Sequence, residues 1–225
     1  MRTAFIRRWA SVSLSTGWCY SASSGIEPGN PDIYAGSSVS ASLASSWGHD
    51  MRVIEATGRD HRYNLMMHMA MDEYDDLTAD ERAERFAMAY VYALPETGVT
   101  VLAAEYHGSL LGYAILTPKK RGAAVRLHWL YVGKAARGWG VGSLLVKEAV
   151  KRYRYLQLAC HPRLKPYYQR FGFSVWRKSM NDGDLIGSTT KKGARLPFIA
   201  RIIPGEAFDA GRWMAAQVER ERRAS

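Results

Sequence analysis

Leu130-Tyr131-Val132-Gly133-Lys134-Ala135-Ala136-Arg137-Gly138-Trp139-Gly140-Val141-Gly142 is the stretch whose reading organises the rest of the chain. It opens as the end of an apolar strand and closes as the start of a helix, whose Val141, Leu144, Leu145 and Ala149 recur on one face. At a helix N-terminus the first backbone N–H groups have no partner within the helix, and the macrodipole is positive there. Glycines let the backbone approach a ligand closely, so a pyrophosphate can rest on those donors. The spacing excludes two familiar nucleotide cradles. No Lys-Ser or Lys-Thr follows the last glycine, so the mononucleotide loop pattern fails. The glycines are also too closely spaced for the dinucleotide pattern, and no parallel βαβ unit with a ribose-binding acid accompanies them.

Outward from this stretch the pattern is mixed α and β. Residues 99–106 and 109–117 read as two strands around His107-Gly108, and 124–132 as a third. Upstream, Val53-Ile54 lies in a short strand, and 60–74 reads as a helix rich in methionine (Met66, Met67, Met69, Met71). Thr78-Ala79-Asp80-Glu81 is a capping box that opens a helix running to about Leu94, before Pro95. Downstream, the glycine-rich helix runs to about Tyr153. Leu156–Cys160 reads as a buried strand, Arg163–Phe171 as a short helix, Phe173–Arg177 and Leu196–Ile203 as strands, and 206–223 as a basic helix. The expected fold class is α/β (α+β), a central mixed sheet flanked by helices.

Residues 1–50 differ from this. They hold 12 serines against 6 in the remaining 175 residues, and they sustain no period of 2 or 3.6. Such a segment cannot bury enough apolar surface to offset its ordering entropy, so it reads as a disordered leader or as sequence preceding a true start at Met51. The first 26 residues carry arginine but no acid, a superficial likeness to a transit peptide. The expected division is a leader at 1–50, a domain at 51–180, and a C-terminal strand and basic helix at 181–225 packed on or extending it.

The chain is 47% hydrophobic with formal net charge +10. Arg2, Arg7 and Arg8 balance Glu27, Asp32 and Asp50, so the whole excess lies beyond residue 50. A basic domain favours anionic ligands: coenzyme phosphates, nucleic acid or an acidic protein. No apolar run of about 18 residues suggests a membrane span. Two cysteines, Cys19 and Cys160, make no disulfide framework and suit the cytoplasm. Neither has metal-ligand company, so no metal site is expected.

With these residues in view, the chain resembles the GNAT superfamily of N-acetyltransferases. That family's cofactor motif is Arg/Gln-x-x-Gly-x-Gly/Ala after a strand ending in a hydrophobic–Val pair; Arg137, Gly140, Gly142 and Val132 match it. Lys134 departs, standing where the family often has proline. The family commonly shows Asn-x-x-Ala-x-x-x-Tyr-x-x-x-Gly-Phe after its fifth strand. Here Tyr168, Gly172 and Phe173 match, whereas His161 and Leu164 replace the Asn and Ala. Leu111-Gly112-Tyr113-Ala114 resembles the family's third strand. The likeness covers roughly 51–178.

The resemblance implies a mostly antiparallel sheet and an acyl-CoA donor, acetyl-CoA first, held by Tyr131, Val132, Arg137, Gly138, Trp139, Gly140, Val141, Gly142 and Ser143. It implies direct attack by an amine on the thioester carbonyl. A backbone N–H of Tyr131 or Val132 would stabilise the oxyanion, and Tyr168 would serve as the acid toward the leaving thiolate. The base is not fixed by the motifs. His128 has an unperturbed pKa suited to neutral catalysis, and Glu105 is the second candidate. Two readings of Trp139 stand, lining the cofactor mouth or capping the helix. The methionine-rich helix reads first as core and second as an adaptable apolar acceptor site. Cys160 beside His161 reads as a small buried hydrophobe before it reads as a nucleophile.

The acceptor stays open among a small amine, a peptide N-terminus and a lysine. Two further classes stand beside an acyltransferase. One is a GNAT-like nucleic-acid (DNA base) modifying enzyme of phage type, favoured by the basic stretches 147–155 and 191–195 with their aromatics. The other is a non-catalytic acyl-CoA-binding or interaction protein, against which the intact glycines stand.

Overall fold

The computed structural model describes residues 50–72, 74–117, 123–179, 183–196 and 204–224. The expected leader lies outside them except for Asp50, as does the expected strand at 196–203 except for Leu196. Strand β1 (Arg52–Glu55) is followed by helices α1 (Arg59–Asp72) and α2 (Ala79–Tyr92). Three strands follow, β2 (Thr100–Tyr106), β3 (Ser109–Leu116) and β4 (Val125–Val132). After these come α3 (Val141–Arg152), β5 (Leu156–Cys160), α4 (Lys165–Gln169), β6 (Val175–Lys178), β7 (Leu185–Ser188), α5 (Lys191–Ala194) and α6 (Ala207–Ala224).

The described strands form one sheet in the order β1-β2-β3-β4-β5-β7-β6. Every neighbour is antiparallel except β4 and β5, which run parallel. The mixed, mostly antiparallel sheet flanked by helices is therefore the one expected. The structure differs from the expected elements in two places. β7 was not foreseen and inserts between β5 and β6, and the helix after β5 is a 3-10 turn at Pro162–Leu164 followed by only five α-helical residues.

Local chemistry explains the elements that position the site. The Thr78 side chain accepts from the Glu81 N–H while the Glu81 carboxylate accepts from the Thr78 N–H, the capping box that starts α2. His107 (φ 48°) and Gly108 (φ 79°) close the β2–β3 hairpin with two left-handed residues. Both faces of the sheet are covered, and successive residues alternate between them. Val101, Ala103, Tyr113, Ile115 and Tyr131 belong to a core shared with α1 and α2. Leu102, Ala104, Ala114, Leu116 and Leu127 belong to a core under α3 and α4.

Met66 is fully buried and Met67 partly so in the first of these cores, so these methionines of α1 serve ordinary packing. Helix α6 lies on α1 and α2, with Met214, Ala215 and Val218 over Ala70, Tyr74 and Phe86. The Tyr74 hydroxyl reaches Glu219 at 3.1 Å, and Arg222 pairs with Asp75 at 2.9 Å. Among the described residues no helix is long and apolar enough to cross a membrane, and no group of His, Cys, Asp and Glu could hold a metal ion.

Candidate active site

The parallel pairing of β4 with β5 stops early. Val125, Arg126 and Leu127 pair with Leu156, Gln157 and Leu158, yet β4 continues to Val132. A bulge lies where the pairing ends: Ile115 opposes Trp129 and Leu116 opposes Leu127, leaving His128 as the extra residue. Beyond it the two strands part, and the edge of β4 from His128 to Val132 borders open space. Two clefts occupy the wedge. One of about 230 Å³ is lined by Leu127 to Leu130 of β4, Leu158 and Ala159 of β5, and Tyr168 of α4. The other, about 340 Å³, is lined by Trp129 to Val132, Arg85, Arg137, Gly142 and Tyr167. Trp129 and Leu130 border both, so the two adjoin along the free edge of β4.

The chain leaves β4 through a 3-10 turn at Lys134–Ala136 and enters α3 through Gly140, which caps the helix at φ 84°. Gly138 has a similar φ of 88°. A residue with a Cβ would be strained at either position. Gly140 brings no side-chain acceptor to the helix end, and the first intrahelical bond is Leu144 N–H to Gly140 O at 3.0 Å. The N–H groups of Val141, Gly142 and Ser143 thus have no acceptor within the helix. Gly142 also keeps the cleft open, because a Cβ there would lie 3.0 Å from the Tyr167 hydroxyl and 3.5 Å from Val132 Cγ2. The Arg137 guanidinium bends back and donates from Nε to the Val132 carbonyl at 3.2 Å. Arg137, Gly142, Tyr131 and Val132 therefore come together at one cleft, with Gly138, Gly140, Val141 and Ser143 at its helical end. Trp139 stands 39% exposed on the surface beside it.

Tyr168 and His128 line the neighbouring cleft of about 230 Å³. Burial raises the Tyr168 hydroxyl above the ordinary tyrosine range, with Tyr167 and Cys160 adding to it, so it stays protonated at neutral pH. Its ring meets Phe173 and Tyr167 edge-on at 5.8 and 4.9 Å. Burial, helped by Arg126, lowers His128 to about 4, so its imidazole is neutral at pH 7. It meets Tyr92 edge-on at 5.8 Å, and its buried Nδ1 has no hydrogen-bond partner among the described residues.

An unfolded histidine titrates near ~6.5. As pH falls from about 6.5 to 4, the unfolded state takes up a proton that folded His128 refuses, and stability drops across that window. The melting temperature of the wild type is expected to fall more between pH 7 and 4 than that of His128→Gln. Equal falls would contradict a buried neutral imidazole.

The remaining candidates sit elsewhere. Glu105 accepts from Arg52 at 3.3 Å, with His61 3.9 Å away, and lines neither cleft. Lys134 pairs with Asp76. Burial, then Asp184, raises the Cys160 thiol to about 11, and the His161 ring accepts from the Arg163 N–H, so the two do not form a nucleophile–base pair. Arg85, Trp129 and Tyr167 line the site but carried no sequence signal. Arg85 reaches it from α2, its guanidinium 4.0 Å from the Trp129 ring centroid, and that meeting depends on how α2 crosses β4.

Residues 97–175, from just before β2 to the start of β6, match the family model described as an acetyltransferase (GNAT) domain. Over those residues the chain is similar to a GNAT acetyltransferase domain. It thereby falls in the acyltransferase class of enzymes. Several solved structures are similar to it. A GNAT-family acetyltransferase from Bacillus cereus is 15% identical over 63% of this chain and 97% of that one, with a TM-score of 0.47. A GNAT-family acetyltransferase from Brucella melitensis, solved with acetyl-CoA, is 20% identical over 61% and 95%, with a TM-score of 0.44. The PaiA N-acetyltransferase from Thermoplasma acidophilum, solved with coenzyme A, is 12% identical over 61% and 97%, with a TM-score of 0.43. No curated protein matches the chain. The likeness to the GNAT family model is confined to residues 97–175.

Proposed function

We propose that this protein transfers an acyl group, acetyl first among them, from acyl-coenzyme A to an amine by direct attack. The observation that carries this reading is the continuity of the bare α3 N-terminus with the free edge of β4 through one cleft. A ligand with a pyrophosphate at one end and a thioester at the other fits that path. The N–H groups of Val141, Gly142 and Ser143 would take the phosphates, with Arg137 beside them and Gly138 and Trp139 bordering the loop. Tyr131 and Val132 would lie along the thioester arm.

In the reaction the amine nitrogen bonds to the thioester carbon and the C–S bond breaks. A backbone N–H at Tyr131 or Val132 would hold the developing oxyanion. Tyr168, kept protonated by burial, would donate to the departing thiolate. His128, neutral at pH 7 but a weak base at about 4, would pass the amine proton to water rather than keep it. Arg85 and Arg137 both border the cleft and disfavour the ammonium form of an acceptor, which supports attack by the free amine.

Tyr168→Phe is expected to lower kcat by about a hundredfold while changing acetyl-CoA affinity by less than about twofold. Release of free thiol measured against a panel of amines would check this. An unchanged kcat would remove Tyr168 from the chemistry.

A further inference from the structure

Two basic stretches that are far apart in sequence meet at the end of the molecule opposite the phosphate cradle. Helix α3 begins at the cradle and ends at Arg152, a span of about 18 Å at 1.5 Å per residue. Just past its end, Tyr155 holds Arg154 and Lys192 against its ring, at 5.6 and 5.7 Å from the centroid. Lys192 arrives there on α5, which a set of buried contacts fixes in place. Thr190 caps α5, its hydroxyl accepting from the Gly193 N–H at 2.8 Å. The amide of Gln157, 1% exposed, donates to the Gly193 and Leu196 carbonyls. A Cβ at Gly193 would lie 2.8 Å from the Ser188 hydroxyl and 2.9 Å from that of Thr190, so a side chain there would displace the hydroxyls that hold α5.

Lys191 and Arg195 stand exposed on the same turn, and Lys151 stands exposed in the last turn of α3. Among the described residues none of Lys151, Arg154, Lys191, Lys192 and Arg195 takes part in an ion pair. Arg152 differs, for it is satisfied by Glu55 and Glu148. The patch is thus a cluster of uncompensated cations ordered around an aromatic ring on a rigid base.

We propose that this face binds single-stranded nucleic acid, tracking its phosphates independently of the acyl-transfer cleft. Closely set cations outside any ion pair suit a phosphate chain, and Tyr155 orders two of them in advance. An acidic protein partner would call for apolar anchors at the centre of the interface. The large apolar side chains exposed among the described residues are Met71, Trp139 and Leu164, none of them in this patch.

The test is fluorescence anisotropy of the full chain with labelled oligo-dT and oligo-U, titrated across salt. The wild type is compared with Arg154→Glu/Lys192→Glu and with a charge-matched control, Lys178→Glu/Arg220→Glu. Four or five phosphate contacts would give a log–log salt slope of about −3 for a single strand. The patch variant is expected to lose at least about tenfold in affinity and to flatten that slope by about one, while the control stays within about twofold. Melting curves and acetyl-CoA titration of the patch variant should match the wild type, which separates failure of this proposal from failure of the acyl-transfer reading. No binding by the wild type at low salt, equal losses in patch and control variants, or equal competition by polyglutamate would each overturn it.

Discussion

Gly142→Leu is expected to abolish acyl-CoA binding, weakening it by at least about a hundredfold, or ~2.7 kcal/mol, with little change in melting temperature. The position lies in the first turn of α3, where its N–H points out of the helix end and its missing side chain leaves room in front of Tyr167 and Val132. The first carbon of any side chain would already lie 3.0 Å from the Tyr167 hydroxyl. Alanine can be accepted by a small shift of that hydroxyl, so Gly142→Ala should weaken binding only modestly. Leucine extends into the cleft that Arg137 and Leu130 also line and occupies the ligand's place. Its helix propensity exceeds that of glycine by somewhat less than about 1 kcal/mol, so the fold should not suffer. A Gly142→Leu protein that bound acetyl-CoA normally would move the donor site away from α3.

Gly211→Leu is expected to have the largest effect on stability, lowering the melting temperature by about 6–12 °C. At this crossing α6 lies so close to α2 that a Cβ on Gly211 would stand 2.1 Å from the Ala83 carbonyl and 2.8 Å from the Ala87 nitrogen. Both are backbone atoms of a helix, which cannot turn aside as a side chain can. Relief requires the helices to separate. That exposes the apolar contact of Met214 and Val218 with Tyr74 and Phe86 and weakens the Tyr74–Glu219 and Arg82–Glu219 pairings. Overpacking of this kind costs about 3 kcal/mol, and each kcal/mol moves the midpoint by about 2–4 °C in a chain of this size. Differential scanning calorimetry would measure it. A shift below about 2 °C would mean that α6 is held elsewhere. Since α2 also carries Arg85 to the cleft, a displaced α2 should reduce turnover as well.

Much of this architecture was legible because local chemistry and tertiary need agree. The capping box at Thr78, the left-handed pair His107-Gly108 and the glycines entering α3 each have a backbone role that the residue type announces. Strand β7 was missed because it is four residues long and has Gly187 inside it, which reads as a breaker. In the sheet that glycine makes a seat for Trp176, whose ring would lie 2.7 Å from a Cβ placed there. The bulge at His128 gave no signal either. It is set by pairing with β3 rather than by the run Leu127-His128-Trp129, and it shifts the alternation of β4 so that Tyr131 faces α1 and α2 while Leu127 faces α3. Arg85 and Tyr167 belong to the site only through helix placement, which no local pattern encodes.

The most direct test of the acyl-CoA cleft is calorimetric titration of acetyl-CoA into the full chain, with Gly140→Glu alongside. Gly140 stands at φ 84° at the very entrance to α3. A glutamate there combines backbone strain with a negative charge where the phosphates would rest. Saturable binding with a Kd between about 1 μM and 1 mM, lost in Gly140→Glu, is the expected result. A folded wild-type protein that takes up no heat from acetyl-CoA, or a Gly140→Glu protein that binds it equally well, would contradict the cleft as the acyl-donor site.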